Sequence, residues 1–547
     1  MIKLLILILL YSLISANQWE NLLHFDDNYT ITNNEFYTTA SKYPSDELNS
    51  SINILNSKNG NNFACNFPAR YTYLLKNNYP IKKYNLLKCK NLTNFTNSFK
   101  KDKLSIVFSS EYVNSPSSAF GHIMLLFSDN NKNLDIGDSV HYAALTPNND
   151  GFFKYAYNGA TGQYNGHFIR EPFFKKIYQY NTKEQRYMYI YNLNFTKEEV
   201  LFIIYHLYEL RKATFKYYFL DENCATQTAN LLNIITNYKK EKNILYLPID
   251  IIKLYKKNIT NTIKYLPTIS KLAILNSKMD KKEKLLFKNI IKTHNDINNN
   301  YPNIVKNALV QHTIFEFRRF HRWYKNYDNI MNQSYIEEKL TDTSKNPLEK
   351  TQPSNLGIGF IFNKNINSLF IEYRPLFIDL YDLQFNKLQQ SEVDILNIKV
   401  AINKQASSII SINLLSLKSF PLQSIYYNPP SWALYSGINR KNKNEILKFN
   451  NEIGIGRTNN SLNINIHTLL FLGFDNADIY LKPYINLNTN FTSSLKSGLI
   501  LEYKRYKNNT YFYKSIFTTY KQNDILYKLN IEDSKHLKLY FSINLNF

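Results

Sequence analysis

The chain has 547 residues, of which 44% are hydrophobic, and its formal net charge is +23. It can bury a large core and is too long for one ordinary domain, so we expect two or three domains. The lysines are spread among asparagines and tyrosines without a basic motif of a known nucleic-acid reader, so the charge indicates solvated surface or attraction to anionic lipid or envelope polymer.

The chain begins with the features of an export signal. A charged start is followed by an apolar run of 11 residues from Leu4 to Ile14, which is too short to span a bilayer. The small residues Ser15 and Ala16 then suit cleavage. We predict a secretory signal peptide at residues 1–16, with a retained membrane anchor as the alternative.

Two of the three cysteines lie in the next segment, residues 17–100, which we expect to form a small helical lobe. Cys65 and Cys89 are 24 residues apart. In an exported protein such a pair is most simply a disulfide, and a loop of this length stabilises by roughly 3 kcal/mol. A metal pair is less favoured because no nearby His or Cys completes a ligand set.

A histidine follows a loop rich in Pro, Ser and Gly. His122 opens the unbroken bulky run of residues 122–127, which predicts a buried strand with the imidazole at its mouth. An imidazole in that place can act as a general base. A core histidine bonded to the backbone is the alternative.

A catalytic imidazole needs a group that orients it. His141, on the next strand-like segment, is the first candidate for this role. Asn114, Glu111 and Asn223 are weaker candidates.

The region between residues 150 and 210 contains a glycine-rich segment and a helix. Gly159, Gly162 and Gly166 lie among Tyr and Asn residues, including Tyr164, without the context of a phosphate loop, so we expect a substrate-lining loop. The segment Tyr187–Leu193 predicts a strand.

A capping box formed by Thr196 and Glu199 then opens an amphipathic helix. We expect His206 and Glu209 to lie at the outer margin of this helix, without a chemical role.

The third cysteine stands where an aromatic, strand-like run gives way to a helical pattern. The sulfur of Cys224 would therefore lie at a helix N-terminus, where backbone N–H groups and the helix dipole favour a thiolate. We expect a lowered thiol pKa and a nucleophilic role. A buried, structural cysteine is the alternative.

The order of these residues resembles a known superfamily. His122 precedes Cys224 by 102 residues, as in the circularly permuted branch of the NlpC/P60 papain-like proteins. The combination of four motifs is similar to the Lnb N-terminal periplasmic domain family; they are Gly121-His122, Asn158–Phe168, Glu184-Gln185-Arg186 and Glu222-Asn223-Cys224.

The resemblance implies a permuted papain-like α+β domain at residues 101–240 with Cys224 and His122 as catalytic residues. Gly121, Glu222, Asn223 and Tyr164 would support the pair or line the substrate site. The family's namesake moves an acyl chain within a lipoprotein, so the resemblance implies lipid or lipoprotein acyl groups as substrate.

The pattern after residue 240 turns helical and rich in lysine, which predicts a helical extension at residues 241–336. Within it, Phe315–Trp323 mixes cations and aromatics at helical spacing, which indicates a packed helix or a helix at a membrane surface. Residues 337–355 read as a linker.

Residues 356–547 alternate between apolar and polar side chains. In the last segment Leu537, Phe541 and Phe547 belong to a row that alternates with polar or tyrosine residues, and about twelve such runs recur. This resembles outer-membrane β-barrels, so we predict an antiparallel barrel of about 12 strands. A soluble β-sandwich is the alternative.

Together these features predict an exported envelope enzyme that acts through a Cys224 thioester on lipid or lipoprotein acyl groups. It would face the periplasm from the outer membrane, with no cofactor, no metal and no nucleic acid partner. A peptidoglycan peptidase or amidase and a non-catalytic outer-membrane scaffold are the alternatives.

Overall fold

The structure of the protein is a computed structural model that describes most of the chain. The expected signal peptide and most of the expected linker lie outside the described residues, which are 18–25, 31–32, 35–41, 43–114, 118–129, 133–147, 150–219, 222–236, 238, 247–293, 301–320, 322, 340, 346–349, 353–363, 367–378, 389–403, 406–421, 423, 427–439, 448–461, 464–476, 478–492, 494–507, 509–533 and 537–546. The chain divides into two compact units, one of Met1–Leu275 with Asp296–Tyr335 and one of Asn276–Asn295 with Ile336–Phe547.

Helices form the N-terminal part of the first unit. They are α1 (Pro44–Asn56), α2 (Gly60–Asn66), α3 (Pro68–Lys76), a 3-10 turn (Leu86–Lys88) and α4 (Lys90–Ser98). A disulfide joins Cys65 in α2 to Cys89 just before α4, with the two Cα atoms 5.4 Å apart. This is the pairing that the sequence favours.

A seven-stranded antiparallel sheet lies at the centre of the first unit. Its strands are β1 (Lys103–Ser109), β2 (His122–Ser128), β3 (Asp138–Leu145), β4 (Tyr164–Pro172), β5 (Met188–Leu193), β6 (Phe215–Tyr217) and β7 (Ile259–Tyr265), in the order β6-β4-β3-β2-β1-β5-β7. Every residue of β2 is buried, so the bulky run forms the predicted core strand with His122 as its first residue.

The other helices of the described residues lie between and after these strands in the chain. They are α5 (Phe152–Ala160), α6 (Phe173–Lys176) with a π-helical turn (Ile177–Lys183), α7 (Lys197–Leu210), α8 (Cys224–Thr236), α9 (Pro248–Leu254), α10 (Thr268–Lys278), α11 (Lys281–Thr293) and α12 (Asn303–Phe320). Short 3-10 turns span Leu134–Ile136, Lys256–Asn258 and Pro347–Glu349. No helix among the described residues is long and apolar enough to cross a membrane.

Helix α7 begins as the sequence predicts but is buried more deeply. Thr196 and Glu199 form the capping box. His206 and Glu209 are fully buried, so the prediction that they lie at the outer margin is wrong. The reason is tertiary, because α3 and α4 pack on α7 and cover the face that an amphipathic helix would leave in water.

The segment predicted as a helical extension also contains a strand. Strand β7 pairs with β5 at the edge of the sheet, and it interrupts the helices of this region. Ile263 and Tyr265 of β7 pack on the core of the sheet, whereas Thr260 and Asn261 are exposed. The alternation of apolar and polar residues in β7 is short and lies in a lysine-rich segment, so the sequence did not predict this strand.

The second unit contains a closed antiparallel barrel. Its strands are β8 (Asn355–Asn363), β9 (Ser368–Arg374), β10 (Leu376–Ile378), β11 (Gln389–Asn403), β12 (Ala406–Pro421), β13 (Ser431–Asn439), β14 (Lys448–Ser461), β15 (Ile464–Asp475), β16 (Asp478–Asn490), β17 (Leu495–Arg505), β18 (Thr510–Gln522), β19 (Ile525–Asp533) and β20 (Leu537–Asn546). Both β9 and β10 pair with β11 and together act as one strand, while β20 pairs with β8. The predicted barrel of 12 strands is therefore confirmed.

The two faces of the barrel differ as the alternation requires. On β20, the side chains of Phe541, Ile543 and Leu545 point outward and are 39–52% exposed, whereas Ser542 and Asn544 are buried inside. Large apolar residues are exposed in the same way on most of the other strands. An apolar outer face and a polar interior suit a barrel in lipid.

Candidate active site

Cys224 is the first residue of α8, which packs against β2 and β3. The side-chain oxygen of Asn223 accepts hydrogen bonds from the backbone N–H groups of Ala225 at 2.8 Å and Thr226 at 3.2 Å. Asn223 is therefore the N-cap of the helix. The sequence prediction that the sulfur stands at a helix N-terminus is confirmed, and Asn223 acts as a structural cap.

The sulfur lies in a dry environment, since Cys224 is only 3% exposed. Burial raises the pKa of the Cys224 thiol to about 11, although backbone N–H groups of Ile123, Ala225 and Cys224 and the charge of Arg186 act in the opposite direction. The expected lowering of the thiol pKa is therefore wrong for this structure. Loss of solvent outweighs the helix N-terminus.

His122 comes next to Cys224 through the start of β2. The backbone N–H of Ile123, the residue after His122, hydrogen-bonds to the Cys224 sulfur. Nε2 of His122 is buried and has no hydrogen-bond partner among the described residues. Burial lowers the pKa of His122 well below its usual value, and His141, Arg186 and Lys176 lower it further. The imidazole is therefore neutral and has an open ring nitrogen.

His141 lies beside His122 but is bonded elsewhere. The two ring centroids are 6.1 Å apart with the planes at 70°. Nε2 of His141 lies 3.2 Å from the Lys176 ammonium, which is also 2.6 Å from Glu171. Burial and then the Lys176 charge lower the pKa of His141 to about 4, while Glu171 opposes them. The expected orienting contact from His141 to His122 is thus replaced by a bond from Lys176 to His141.

Arg186 supplies a second buried cation at the site. Its Nε and Nη2 groups donate to the carbonyl oxygens of Ser110 at 2.6 Å and Ser109 at 3.0 Å, which fixes the end of β1. Nη1 forms an ion pair with Glu184 at 2.9 Å. The guanidinium lies 4.8 Å from the ring centroid of Tyr180. Its charge acts on both the Cys224 sulfur and His122.

A cavity of about 220 Å³ lies against the two histidines. His122, His141 and Lys176 line one part of it, and five aromatic side chains line another, namely Tyr142, Tyr155, Tyr180, Tyr217 and Phe219. Ser118, Thr146, Gln179 and Glu184 add further polar groups to the wall. The ring of Tyr217 stacks on that of Tyr142, and Phe219 packs against Tyr155 and Tyr217. The cavity therefore combines aromatic rings with polar groups, and the imidazoles are among the polar ones.

The glycines predicted to shape a substrate loop make room for these aromatic rings. Gly159 lies in α5 and Gly166 in β4, so neither is in a loop. A Cβ on Gly159 would come within 2.2 Å of the Phe219 ring, and one on Gly166 within 2.0 Å of the Tyr142 hydroxyl. Their role is to admit the aromatic wall of the cavity.

Two further candidate residues, Gly121 and Tyr164, have structural roles near the site. Gly121 has a φ of +99° in the turn before β2, and a Cβ there would come within 2.5 Å of Phe108, so the turn requires glycine. Tyr164 donates to Asp150 at 2.7 Å, behind Tyr155.

Three acidic or amide candidates remain. Glu222 accepts a bond from Gln227 at 2.6 Å. Glu111 and Asn114 lie in the segment after β1, and neither lines the cavity.

Lys176, Glu171 and Tyr180 are site residues that the sequence reasoning missed. Lys176 is one of 66 basic residues and stands beside the exposed Lys175, so no local signal separates it from the surface charge. Its burial arises only when β3, β4 and α6 meet. Within the described residues, no cluster of three or more His, Cys, Asp or Glu side chains could hold a metal ion.

Comparisons with known families agree with this arrangement. A family model described as the Lnb N-terminal periplasmic domain matches residues 91–258. Two further models, described as domains of unknown function DUF7840 and DUF7843, match residues 344–545 and 11–77. No curated protein matches the chain.

Several solved outer-membrane proteins are similar in structure at low scores. A KdgM porin is 9% identical over 35% of this chain and 99% of its own, with a TM-score of 0.24. LpxR from Salmonella typhimurium is 9% identical over 36% of this chain and 100% of its own, with a TM-score of 0.23. An outer membrane channel from Pseudomonas putida F1 is 6% identical over 39% of this chain and 100% of its own, with a TM-score of 0.26.

The family match covers strands β1–β6 of the sheet, α7 and the Cys224 helix, and the barrel lies in the C-terminal unit. Both parts of the resemblance inferred from the sequence are thereby confirmed. Residues 91–258 thus match the Lnb N-terminal periplasmic domain family, in an exported protein that a closed twelve-stranded barrel anchors in the outer membrane.

Proposed function

We propose that the protein is a cysteine acyltransferase or hydrolase that forms a thioester on Cys224 with lipid or lipoprotein acyl groups. One observation carries this proposal. The backbone N–H next to His122 contacts the Cys224 sulfur at the start of α8, and His122 has an open ring nitrogen. The nucleophile therefore lies beside the strand end that carries a neutral base, and that base lines a cavity.

The chemistry begins with transfer of the thiol proton from Cys224 to His122 while the sulfur attacks the carbonyl carbon of an ester. The backbone N–H of Cys224 stabilises the oxyanion. The carbonyl then re-forms, the bond to the alcohol oxygen breaks, and His122 gives its proton to that oxygen. An amine or water attacks the resulting thioester, loses a proton to His122, and the sulfur recovers a proton from His122 as it leaves.

The resting site holds a neutral pair. Because the thiol pKa is about 11 and that of His122 is low, the proton moves during the attack and a thiolate is not stored beforehand. The base must therefore accept the proton during the attack, and the oxyanion donors must stabilise the charge that develops. It also protects the thiol from other electrophiles.

The substrate class rests on three features. The aromatic wall of the cavity suits an acyl chain. The family's namesake acts on lipoprotein acyl chains, and the chain that carries the site continues into a barrel that lies in the outer membrane.

The test is to trap the thioester. Purified full-length protein in detergent is incubated with lipid and lipoprotein extracts, and the Cys224 peptide is analysed by mass spectrometry before and after hydroxylamine treatment. Since Cys65 and Cys89 form a disulfide, Cys224 is the free thiol of the chain. We expect a hydroxylamine-sensitive acyl mass on Cys224 and loss of turnover in Cys224→Ala, with Cys224→Ser as the control for folding.

Each contrary result has a distinct meaning. Turnover that survives in Cys224→Ala contradicts the covalent mechanism. Release of peptides from peptidoglycan that depends on Cys224 supports the peptidase alternative. An envelope phenotype that is rescued equally by the wild type and by Cys224→Ala supports the scaffold alternative.

A further inference from the structure

Lys176 is a buried ammonium held by Glu171 and His141, with the Gln179 side-chain oxygen at 3.5 Å. The residue is 6% exposed, its Nζ lies 2.6 Å from Glu171 and 3.2 Å from Nε2 of His141, and it lines the cavity. A lysine is rarely buried without such pairing. Glu171 balances its charge, so the contact with His141 is an additional feature that the ion pair does not require.

This contact determines the tautomer of His141. An ammonium has three N–H donors and no acceptor, so Nε2 of His141 must accept the hydrogen bond. The imidazole is neutral, and its hydrogen therefore lies on Nδ1. Nδ1 is buried and has no hydrogen-bond partner among the described residues. His141 thus presents a fixed donor that its surroundings leave open.

A fixed donor on His141 changes its relation to His122. If His141 oriented His122 in the usual way, it would accept a hydrogen bond from the N–H of His122. The Lys176 contact removes that acceptor, which agrees with two rings that touch at 6.1 Å between centroids without a hydrogen bond. The direct orienting role is therefore excluded while Lys176 is charged.

The charges around His122 act together against its protonation. The cations are Lys176 on α6 and Arg186 before β5, which form ion pairs with Glu171 and Glu184, and His141 on β3 would add a third charge only when protonated. One neutral group also faces the imidazole, namely the Tyr180 ring at 5.6 Å between ring centroids. No carboxylate is bonded to His122 among the described residues.

We propose that Lys176 is a positioning residue of the site, which holds His141 as the Nδ1–H tautomer and keeps His122 in its neutral, proton-accepting form at acidic pH. This inference rests on the proposed function for its meaning in turnover. The tautomer itself does not depend on turnover. A base that resists protonation keeps working as the pH falls, so the rate should decline only well below pH 6.5.

The first measurement reads the tautomer directly. Full-length protein with ring-labelled histidine is studied by NMR in detergent, and the signals of His122 and His141 among the ten histidines are assigned with His122→Gln and His141→Gln. We expect His141 as the Nδ1–H tautomer in the wild type and in Lys176→Arg. An Nε2–H tautomer of His141 in the wild type overturns the proposal, whether or not the enzyme is active.

The second measurement tests the effect of Lys176 on the protonation of His122 through the pH dependence of turnover. Removal of the cation in Lys176→Met should move the acidic limb of kcat/KM up by roughly one to two pH units, because the Lys176 charge acts on His122 and a nearby unit charge in a buried site shifts an imidazole pKa by about that much. The exposed neighbour provides a matched control, since Lys175→Met and the conservative Lys176→Arg should leave the limb in place.

The two failures are distinguishable. An unmoved acidic limb in a folded Lys176→Met enzyme overturns the positioning role while the thioester mechanism stands. The absence of any Cys224-dependent turnover refutes the proposed function, and the NMR result then still decides the tautomer.

Discussion

The first unit contains two buried histidine clusters that differ in how their ring nitrogens are used. In the cluster around α7, His206 has a partner at each nitrogen, with His24 at 3.0 Å and Glu209 at 3.3 Å. In the site cluster, Nε2 of His122 and Nδ1 of His141 have no partner among the described residues, and both residues line a cavity. Burial is shared by both clusters and does not distinguish them, whereas unpartnered ring nitrogens on residues that line a cavity occur in the site cluster.

The cluster around α7 also caps the N-terminus of another helix, α3. The carboxylate of Glu209 accepts hydrogen bonds from the backbone N–H groups of Ala69 at 2.7 Å and Arg70 at 3.0 Å, in the first turn of α3. The buried Arg70 lies between Glu209 and Glu47, at 3.8 and 3.6 Å. Polar groups in the cluster around α7 bond the helices to one another, whereas the site cluster keeps two ring nitrogens without a hydrogen-bond partner among the described residues.

The largest expected effect comes from replacing one histidine of each cluster, His122 or His206, by glutamine. His122→Gln should lower the rate of acyl transfer to Cys224 by a factor of about 10²–10⁴, because a general base is lost. Its effect on stability should be small, since no hydrogen bond of Nε2 is broken. His206→Gln should do the reverse and cost about 1–3 kcal/mol of stability, because buried partners lose their bonds.

Acylation of Cys224 by mass spectrometry and hydrogen exchange in the α7 peptide measure the two effects separately. Equal losses of rate and of protection in both variants would show that the clusters do not differ in kind. Undiminished acylation in His122→Gln would remove His122 as the base.

The sequence was informative where one residue type or one period decides the structure. The period of two predicted the barrel, and the change from a strand-like run to a helical pattern placed Cys224 at a helix start. The bulky run after His122 predicted the buried β2. These are local signals, and each element follows from side chains next to one another in the chain.

The sequence was uninformative where three segments meet. Lys176 becomes a site residue only because β3 brings His141 and β4 brings Glu171 to it. His206 looked like a surface residue because the lobe that covers it lies more than a hundred residues away in the chain. The prediction of a lowered Cys224 thiol pKa was wrong for the same reason, because desolvation depends on residues that surround the thiol only in the folded protein.

The next effect in size concerns the external cap. Glu209→Ala should destabilise the first unit by about 3–5 kcal/mol, because it leaves Arg70 short of a counter-charge and two buried N–H groups without an acceptor. Hydrogen exchange in α3 and α7 should report the loss, and the exposed Glu198→Ala on the same helix is the matched control. Unchanged protection of α3 would show that Glu209 is not its cap.

The smallest expected effect comes from the N-terminal cap of α7. Its removal serves as a reference, because it weakens α7 without changing a residue of either cluster. Thr196 accepts a hydrogen bond from the N–H of Glu199 at 3.2 Å, and the Glu199 carboxylate accepts one from the N–H of Thr196 at 2.8 Å. Thr196→Ala should therefore cost about 1 kcal/mol, seen as faster exchange in the first turn of α7, while Thr196→Ser should cost less. Since this cap is far along the helix from His206, acylation of Cys224 should be unchanged. A fall in acylation that matches the loss of protection would mean that α7 transmits its stability to the site, and the two clusters would then have to be treated as one cooperative unit.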